Sequence, residues 1–138
     1  ALAGFDLEVD IPEEPLFCDI DAQQFRRVFE NIIANALRHN QEGTILRFKI
    51  AAEGNSIKIT ISDNGKGIPP EIADVIFEPF TVGDESRNSK QGTGLGLAIA
   101  KKIVKSHKGY ISLSKKPEKG MSTEFIIWMK MGETLSET

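Results

Sequence analysis

The chain has 138 residues, enough for one domain with a substantial core. Seventeen basic residues against twenty acidic ones leave a formal net charge of -3, and this balance argues against nucleic acid as a partner. The single cysteine, Cys18, cannot form an internal disulfide and fits a reducing compartment. Since no run of about 20 apolar residues is present, we expect no membrane contact and a cytoplasmic location.

The N-terminal part of the chain predicts two strands and a long helix. Residues 5–11 alternate between apolar and acidic types, which is the period of a half-buried strand, and residues 16–18 are a second, shorter candidate. Asp21 then precedes apolar residues at helical spacing, and Gln24 stands three positions later, as in a capping box. This pattern predicts a helix over residues 22–38.

The middle of the chain predicts a hairpin, a short helix and a long loop. Residues 46–50 and 57–61 alternate cleanly, and the segment 53–55 between them is rich in turn-forming residues. The pair Pro69-Pro70 favours a short helix over residues 71–76. Residues 81–91 contain a single apolar side chain, and a loop of this length in a small domain is typical of a lid over a binding site.

The C-terminal part predicts a helix and two final strands. The helix begins in a glycine-rich segment and ends near His107, with Gly109 as the expected left-handed residue after its end. Residues 110–114 and 123–131 are the strands. The whole pattern predicts one α+β domain over residues 1–131, with helices on one face of a mixed, mostly antiparallel sheet. We expect the polar tail, residues 132–138, to be frayed.

Three glycines, Gly92, Gly94 and Gly96, alternate directly before the last helix. Glycine lets a backbone approach an anion closely, and a helix N-terminus offers unpaired N–H groups to it. The segment is therefore either a phosphate-binding loop or a tight helix entry of the ordinary kind. It matches neither the dinucleotide fingerprint nor the P-loop, because Leu97 and Ile99 stand where the last fingerprint glycine belongs and no Gly-Lys-Ser/Thr follows.

Two polar features accompany these glycines. Asn31, Asn35 and Arg38 share one stripe of the first helix, at spacings i, i+4 and i+7. Amide oxygens suit Mg²⁺, although a solvated helix face would have the same pattern. Asp63 ends a strand and enters a glycine-rich turn, where it is either a turn-forming residue or a ligand-binding carboxylate.

Four segments, taken in order, resemble the N box, first glycine box, F box and second glycine box of the histidine-kinase ATP-binding domain. They cover residues 29–40, 62–69, 77–80 and 92–103. That family shares a superfamily with gyrase, mismatch-repair ATPases and a heat-shock chaperone. The resemblance extends from residue 5 to residue 131 and implies the Bergerat ATP-binding fold, with ATP and Mg²⁺ as ligands.

The resemblance implies a role for each matching position. Asp63 would accept a hydrogen bond from the exocyclic amine of adenine, and Asn35 would be the principal Mg²⁺ residue, supported by Asn31. The full set implied for the nucleotide is Asn35, Asp63, Gly65, Gly67, Ile68, Phe80, Gly92, Thr93, Gly94, Leu95, Gly96 and Thr123.

The implied catalytic residues are Asn31, Arg38, Arg87 and Lys90. Arg38 would lie near the phosphates, and the lid residues Arg87 and Lys90 would reach the γ-phosphate, unless they belong to an ordinary surface loop. Many relatives carry an arginine two residues after the F box, where this chain has Val82. This departure leaves Arg87 without its usual helper and bears on the rate of catalysis more than on nucleotide binding.

The resemblance favours a kinase over a hydrolase. ATPase branches of the superfamily carry a water-activating glutamate four residues before the metal asparagine, and this chain has Asn31 there. We therefore expect transfer of the γ-phosphoryl group to a histidine on separate dimerisation helices, with a response regulator downstream. We also expect this chain to be one domain of a longer sensor, inactive without its acceptor. An anti-sigma-type serine kinase and a regulatory nucleotide-binding module without transfer activity remain alternatives.

Overall fold

The computed structural model describes residues 4–79 and 95–132, and these form an α+β sandwich of two layers. One layer is a five-stranded sheet, and helices cover one of its faces, so the predicted fold class is confirmed. The strands are β1 (Asp6–Asp10), β2 (Ile45–Glu53), β3 (Ser56–Asp63), β4 (Tyr110–Leu113) and β5 (Thr123–Lys130). The helices are α1 (Ala22–His39), α2 (Pro70–Ala73) and α3 (Gly96–Ser106).

The strands lie in the order β1-β2-β3-β5-β4, and only β1 runs parallel to its neighbour. The predicted hairpin is confirmed: β2 and β3 pair along their full length, from Glu53 opposite Ser56 to Leu46 opposite Asp63. The turn between them needs a glycine, since Gly54 has a φ of +61°. The sheet is therefore mixed but mostly antiparallel.

The core lies between the helix layer and one face of the sheet. Helix α1 contributes a stripe that includes Phe25, Val28 and Ile32, and the odd-numbered residues of β3 meet it from the sheet side. Val28 and Ala100 have no exposed surface at all. Because side chains alternate along a strand, the last residue of β3, Asp63, also faces the helices.

Helix α1 begins as predicted. The Asp21 carboxylate accepts a hydrogen bond from the Gln24 N–H group at 3.1 Å, which satisfies one of the unpaired donors of the first turn. Helix α1 is also fixed to the end of α3 by His107. Its Nε2 accepts from the Asp21 N–H group at 3.1 Å, its Nδ1 donates to the Ile103 carbonyl at 2.8 Å, and its ring meets the Phe25 ring edge-on.

The end of α3 differs from the prediction in one residue. Lys108, not Gly109, takes the left-handed conformation after the helix, with a φ of 63°. Lys108 N–H bonds to the Lys105 carbonyl and Gly109 N–H to the Val104 carbonyl, the paired bonds of a Schellman motif. A glycine is needed at 109 for another reason: a Cβ atom there would lie 2.4 Å from Met129 Sδ and 2.8 Å from the Trp128 carbonyl oxygen.

One predicted strand, before α1, is wrong, and the short helix predicted after the first glycine turn is present but ends early. Residues 16–18 form no strand: Leu16 and Cys18 pack on the core, and the Phe17 carbonyl accepts a hydrogen bond from the Gly132 N–H group. The short helix ends at Ala73 rather than at residue 76, because Val75 and Ile76 bond to carbonyls three residues back in tight turns.

Strand β1 is an exposed edge rather than the half-buried strand that was predicted. Phe5, just before it, is buried against α1, but every residue from Asp6 to Asp10 is exposed. Leu7 and Val9 are 52% and 56% exposed, and neither packs on a hydrophobic cluster of the core formed within the described ranges, 4–79 and 95–132. No helix in the described part of the chain is long and apolar enough to cross a membrane.

Candidate functional site

The candidate site lies where the end of β3 meets the C-terminal half of α1. Asp63 is 4% exposed and stands opposite Thr123, the first residue of β5, on the helix-facing side of the sheet. The carboxylate accepts a hydrogen bond from the Gly65 N–H group at 2.9 Å and another from the side-chain amide of Asn40. Burial raises the pKa of Asp63 above its ordinary value, and these two hydrogen bonds partly oppose the rise.

The glycine turn after Asp63 is fixed by the segment that leads into β5. The Ser122 N–H group donates to the Asp63 carbonyl at 2.8 Å, and the Ser122 hydroxyl donates to the Gly65 carbonyl at 2.6 Å. Gly67 has a φ of +79°, a conformation that strongly favours glycine. The structure thus brings Asp63, Gly65, Gly67 and Thr123 together, and all four belong to the set that the resemblance implied for the nucleotide.

Asn40 links this turn to α1. It is the C-terminal cap of the helix, and its Nδ2 group donates to the Ala36 carbonyl at 3.0 Å. Its Oδ1 atom accepts from the Lys66 N–H group, also at 3.0 Å. No role was predicted from the sequence for Asn40, the last residue of the N box, or for Ser122, because neither belongs to a periodic pattern and their partners lie far away in the chain.

The polar stripe of α1 leads from this turn toward the start of α3. Asn35 is buried, with 8% of its surface exposed, and Arg38 is half-buried. The Nε atom of Arg38 is buried and has no hydrogen-bond partner among the residues that the structure describes. An unpaired buried guanidinium N–H is costly, so an anion bound beside it would be stabilised.

Asn31 connects α1 to α3. Its Nδ2 group donates to the Gly96 carbonyl at 3.1 Å, so the side chain is oriented by the first residue of α3. Leu95 caps α3 without a side-chain hydrogen bond. The first N–H groups of this helix therefore have no side-chain acceptor at the cap, and the positive end of the helix dipole lies there.

A cavity of about 330 Å³ lies beside the glycine turn. It lies between α2 and the connection from β4 to β5, and two of the predicted nucleotide residues, Ile68 and Thr123, form part of its wall. Asp63 does not line it. The other lining residues are Pro70, Ala73, Asp74, Leu113, Ser114, Lys115, Pro117 and Ser122.

Several predicted site residues lie outside the described part of the chain. They are Phe80, Arg87, Lys90, Gly92, Thr93 and Gly94, together with Val82 and the rest of the predicted lid over residues 81–91. Phe77, the first aromatic residue of the F box, is described. It packs on the core, with its ring 6.0 Å from that of Phe125 and with Lys101 Nζ 5.6 Å from its centre.

Comparison with known proteins agrees with this geometry. Residues 20–133 match the family described as histidine kinase-, DNA gyrase B-, and HSP90-like ATPase, and the chain belongs to this family. Within it, the chain is an ATP-binding catalytic domain of the histidine-kinase type, with the corresponding α+β sandwich.

The individual relatives are sensor histidine kinases. A probable sensor histidine kinase TcrY of Mycobacterium tuberculosis is 39% identical over 110 residues, which cover 79% of this chain and 23% of TcrY. Sensor histidine kinase YvrG of Bacillus subtilis is 36% identical over 117 residues, covering 85% of this chain and 20% of YvrG. This chain thus spans about a fifth of the length of these relatives.

A solved structure has the same fold over nearly the whole chain. The mycobacterial sensor histidine kinase MprB superimposes with a TM-score of 0.80 and 25% sequence identity. The match covers 96% of this chain and 87% of that structure.

Proposed function

We propose that this domain binds ATP with Mg²⁺ and transfers the γ-phosphoryl group to a histidine on a separate dimerisation domain. The observation that carries the proposal is the buried Asp63 carboxylate, which is held by Gly65 and Asn40 at the end of α1. The polar stripe of α1 continues from this point toward the uncapped start of α3. Membership of the histidine-kinase ATPase family supports the same proposal.

The carboxylate of Asp63 would select adenine. An exocyclic amine can donate to a buried carboxylate, whereas the carbonyl of guanine would place two acceptors against each other. The Gly65 N–H bond and the tight turn at Gly67 hold the backbone close to the carboxylate without side chains in the way. Thr123, directly opposite Asp63, adds a hydroxyl at the same edge of the proposed base site.

The stripe of α1 fits the phosphates and the metal. The unpaired Nε of Arg38 is suited to a phosphate oxygen, and the start of α3 adds backbone N–H groups that also favour an anion. The amide oxygens of Asn35 and Asn31 are hard ligands of the kind that Mg²⁺ takes alongside water and phosphate oxygens. When bound there, Mg²⁺ would offset charge on the phosphates during transfer.

The surroundings of Asn31 support transfer rather than hydrolysis. An amide has no basic group that could take a proton from water, and its nitrogen is engaged with the Gly96 carbonyl. Glu30, the neighbouring carboxylate, faces solvent with 63% of its side chain exposed and lies 3.5 Å from Arg26. No general base for water is therefore present at this place on α1.

The remaining parts of the mechanism rest on residues outside the described ranges. We propose that Arg87 and Lys90 stabilise charge on the transferring phosphoryl group, and that Gly92, Thr93 and Gly94 complete the phosphate cradle before Leu95 and Gly96. Phe77 and Phe80 would both anchor the lid at its start. The acceptor helices and a response regulator would be the protein partners, in the cytoplasmic part of a sensor.

Incubation of the purified domain with labelled Mg-ATP and a histidine-bearing dimerisation domain tests this function. The domain alone should not label itself, and the added acceptor should carry an acid-labile label that accumulates slowly, because tethering is absent. Arg87→Ala should reduce this transfer more than it reduces ATP affinity.

The two alternatives give other results in the same experiment. Acid-stable label on a serine of a small partner protein would indicate a serine kinase of the anti-sigma type. ATP binding without any transfer to a competent acceptor would indicate a regulatory module. Failure to bind ATP at all would overturn the proposed function itself.

A further inference from the structure

We propose that Asn40 is a positioning residue that orients the Asp63 carboxylate and thereby sets the preference for adenine over guanine. The inference rests on the proposed nucleotide function. It assigns a role to Asn40, which belongs to the N box but is not among the ligands that the resemblance implies. It follows from the hydrogen bonds of one amide group to the Ala36 carbonyl and the Lys66 N–H group, from the effect of this amide on Asp63 and from the space that it fills.

The Asn40 side chain is used on both of its atoms. Nδ2 donates to the Ala36 carbonyl at 3.0 Å, which uses one of the two N–H groups of the amide. The other is the donor available to the Asp63 carboxylate, whose pKa the Asn40 side chain lowers. Oδ1 accepts from the Lys66 N–H group at 3.0 Å. Rotation of the amide by 180° would place Oδ1 against a carbonyl and a carboxylate, so only one orientation satisfies all of its partners.

These bonds tie three elements together. Ala36 belongs to the last turn of α1, Asp63 ends β3, and Lys66 lies inside the glycine turn. The carboxylate is therefore held from two directions, by the Gly65 N–H group from within the turn and by Asn40 from the helix. With both donors in place, the carboxylate has a fixed plane, and the lone pairs left over point in a fixed direction.

The same amide explains why residue 65 is a glycine. A Cβ atom at this position would lie 1.9 Å from Asn40 Oδ1 and 2.3 Å from Asn40 Cγ. Gly65 does not have the left-handed φ that characterises Gly67, so its need for glycine comes from this contact. Asn40 and Gly65 are therefore coupled, and a change at one should alter the cost of a change at the other.

Loss of the amide would release the carboxylate on one side. We expect Asn40→Ala to weaken ATP binding about ten-fold and to leave GTP binding nearly unchanged, so that the ATP-to-GTP affinity ratio falls about ten-fold. Burial and two hydrogen bonds set the pKa of Asp63, and removal of one bond raises this pKa further. The acidic fall-off of ATP affinity should therefore move to higher pH in the variant.

The experiment measures ATP and GTP affinity by calorimetry for the purified domain as a function of pH. Asn64→Ala is the matched control, because Asn64 Oδ1 accepts a 2.7 Å bond from the Ile45 N–H group in the same region without bonding the Asp63 carboxylate. The control should keep the wild-type affinity ratio and acidic fall-off. Asn40→Asp, which retains the acceptor for Lys66 and repels Asp63, should lower the ratio more than Asn40→Ala does.

A second comparison uses the coupling with Gly65. In the wild-type background, Gly65→Ala should displace the Asn40 amide and weaken ATP binding about as much as Asn40→Ala does. In the Asn40→Ala background, the added methyl group has room and should cost little more.

If the wild-type domain binds ATP, two outcomes would overturn the assignment. One is that the losses of ATP affinity from Gly65→Ala and Asn40→Ala add in the double variant. The other is that Asn40→Ala and Asn64→Ala have equal ATP-to-GTP affinity ratios. Absence of ATP binding in the wild-type domain would remove the proposed function and this inference together. Strong binding that is lost with Asp63→Ala but indifferent to Asn40 would remove the inference alone.

Discussion

The glycine turn after β3 and the polar stripe of α1 would hold two ends of one ligand, yet they differ in how far their polar groups are paired by hydrogen bonds. In the turn, polar groups satisfy one another: Asp63, Asn40 and Ser122 each bond to neighbouring backbone or side-chain atoms. On the helix side, Arg38 Nε is buried without a partner in the described part of the chain, and α3 begins without a side-chain cap. The paired groups of the turn restrict which ligand group can bind there, whereas the unpaired groups on the helix side would be stabilised most by a bound anion. We therefore expect selectivity to come from the turn and charge-dependent affinity from the helices.

The strongest test of this division is Asp63→Ala. We expect ATP affinity to fall more than 100-fold, because the buried acceptor for the base is gone and a neutral side chain cannot replace it. The melting temperature should change little, since the variant leaves two donors unpaired but removes a costly buried charge. Titration with a fluorescent ATP analogue measures the affinity, and circular dichroism follows the melting.

Asp74→Ala is the control for this first prediction. Asp74 is an exposed carboxylate on the wall of the neighbouring 330 Å³ cavity. Its removal should leave ATP binding unchanged. If Asp74→Ala abolishes binding and Asp63→Ala does not, the base occupies the cavity rather than the site at Asp63.

On the helix side, Arg38→Ala should weaken ATP binding about 10- to 50-fold, because a guanidinium bond to phosphate is lost. Adenosine, which has no phosphate, should bind the variant and the wild-type domain equally well. Calorimetry with both ligands separates the loss of a phosphate contact from a general loss of nucleotide binding. Arg26→Ala on the same helix removes an exposed arginine that lies near Glu30 and should affect neither ligand. An equal loss for adenosine and ATP would contradict the division.

Asn35→Ala should have a smaller effect, confined to the metal. We expect ATP affinity at saturating Mg²⁺ to fall about five-fold, and affinity in the presence of a chelator to stay the same. A Mg²⁺ titration at fixed nucleotide concentration measures both. An identical Mg²⁺ response in variant and wild type would exclude Asn35 as a ligand.

The smallest expected effect concerns stability and pH. Burial raises the pKa of Asp63 in the folded state above 3.8, so folded protein binds this proton more tightly than unfolded protein does. As the pH falls from neutral through that raised pKa toward 3.8, the wild-type domain should gain stability relative to Asp63→Ala. Urea unfolding of both proteins across this range measures the difference. A relative loss of wild-type stability on acidification would mean that the carboxylate is better stabilised than its burial indicates.

The sequence predicted the elements whose signals are local. The cap of α1 at Asp21, the stripe from Phe25 to Ile32 and the hairpin around Gly54 each follow from periodicity or turn chemistry within a few residues. The conformation at the end of α3 could not be predicted in this way. Gly109 is needed because of Met129, across the core, and not because of the helix end. Residues 16–18 have strand-like composition but no neighbouring strand to pair with.

The same reasoning separates the predicted part of the site from the missed part. Asp63, Gly65 and Gly67 are close in sequence, so a motif could identify them together. The bond from Asn40 to Lys66 joins residues 26 positions apart, and that from Ser122 to Gly65 spans 57. Such contacts depend on how the helix and strands pack, and a single sequence carries no local sign of them.

The hairpin between β2 and β3 has a consequence at its far end. Its ladder runs without interruption from Glu53 opposite Ser56 to Leu46 opposite Asp63. Because neighbouring residues of a strand face opposite sides, a slip of one position would bring the hydroxyl of Ser62 to the place of the carboxylate. The two-residue turn at Gly54 thus sets the register that positions Asp63 at the other end of the strand. We therefore expect an insertion that shifts this register to disturb the proposed base site at Asp63, at the opposite end of the strand.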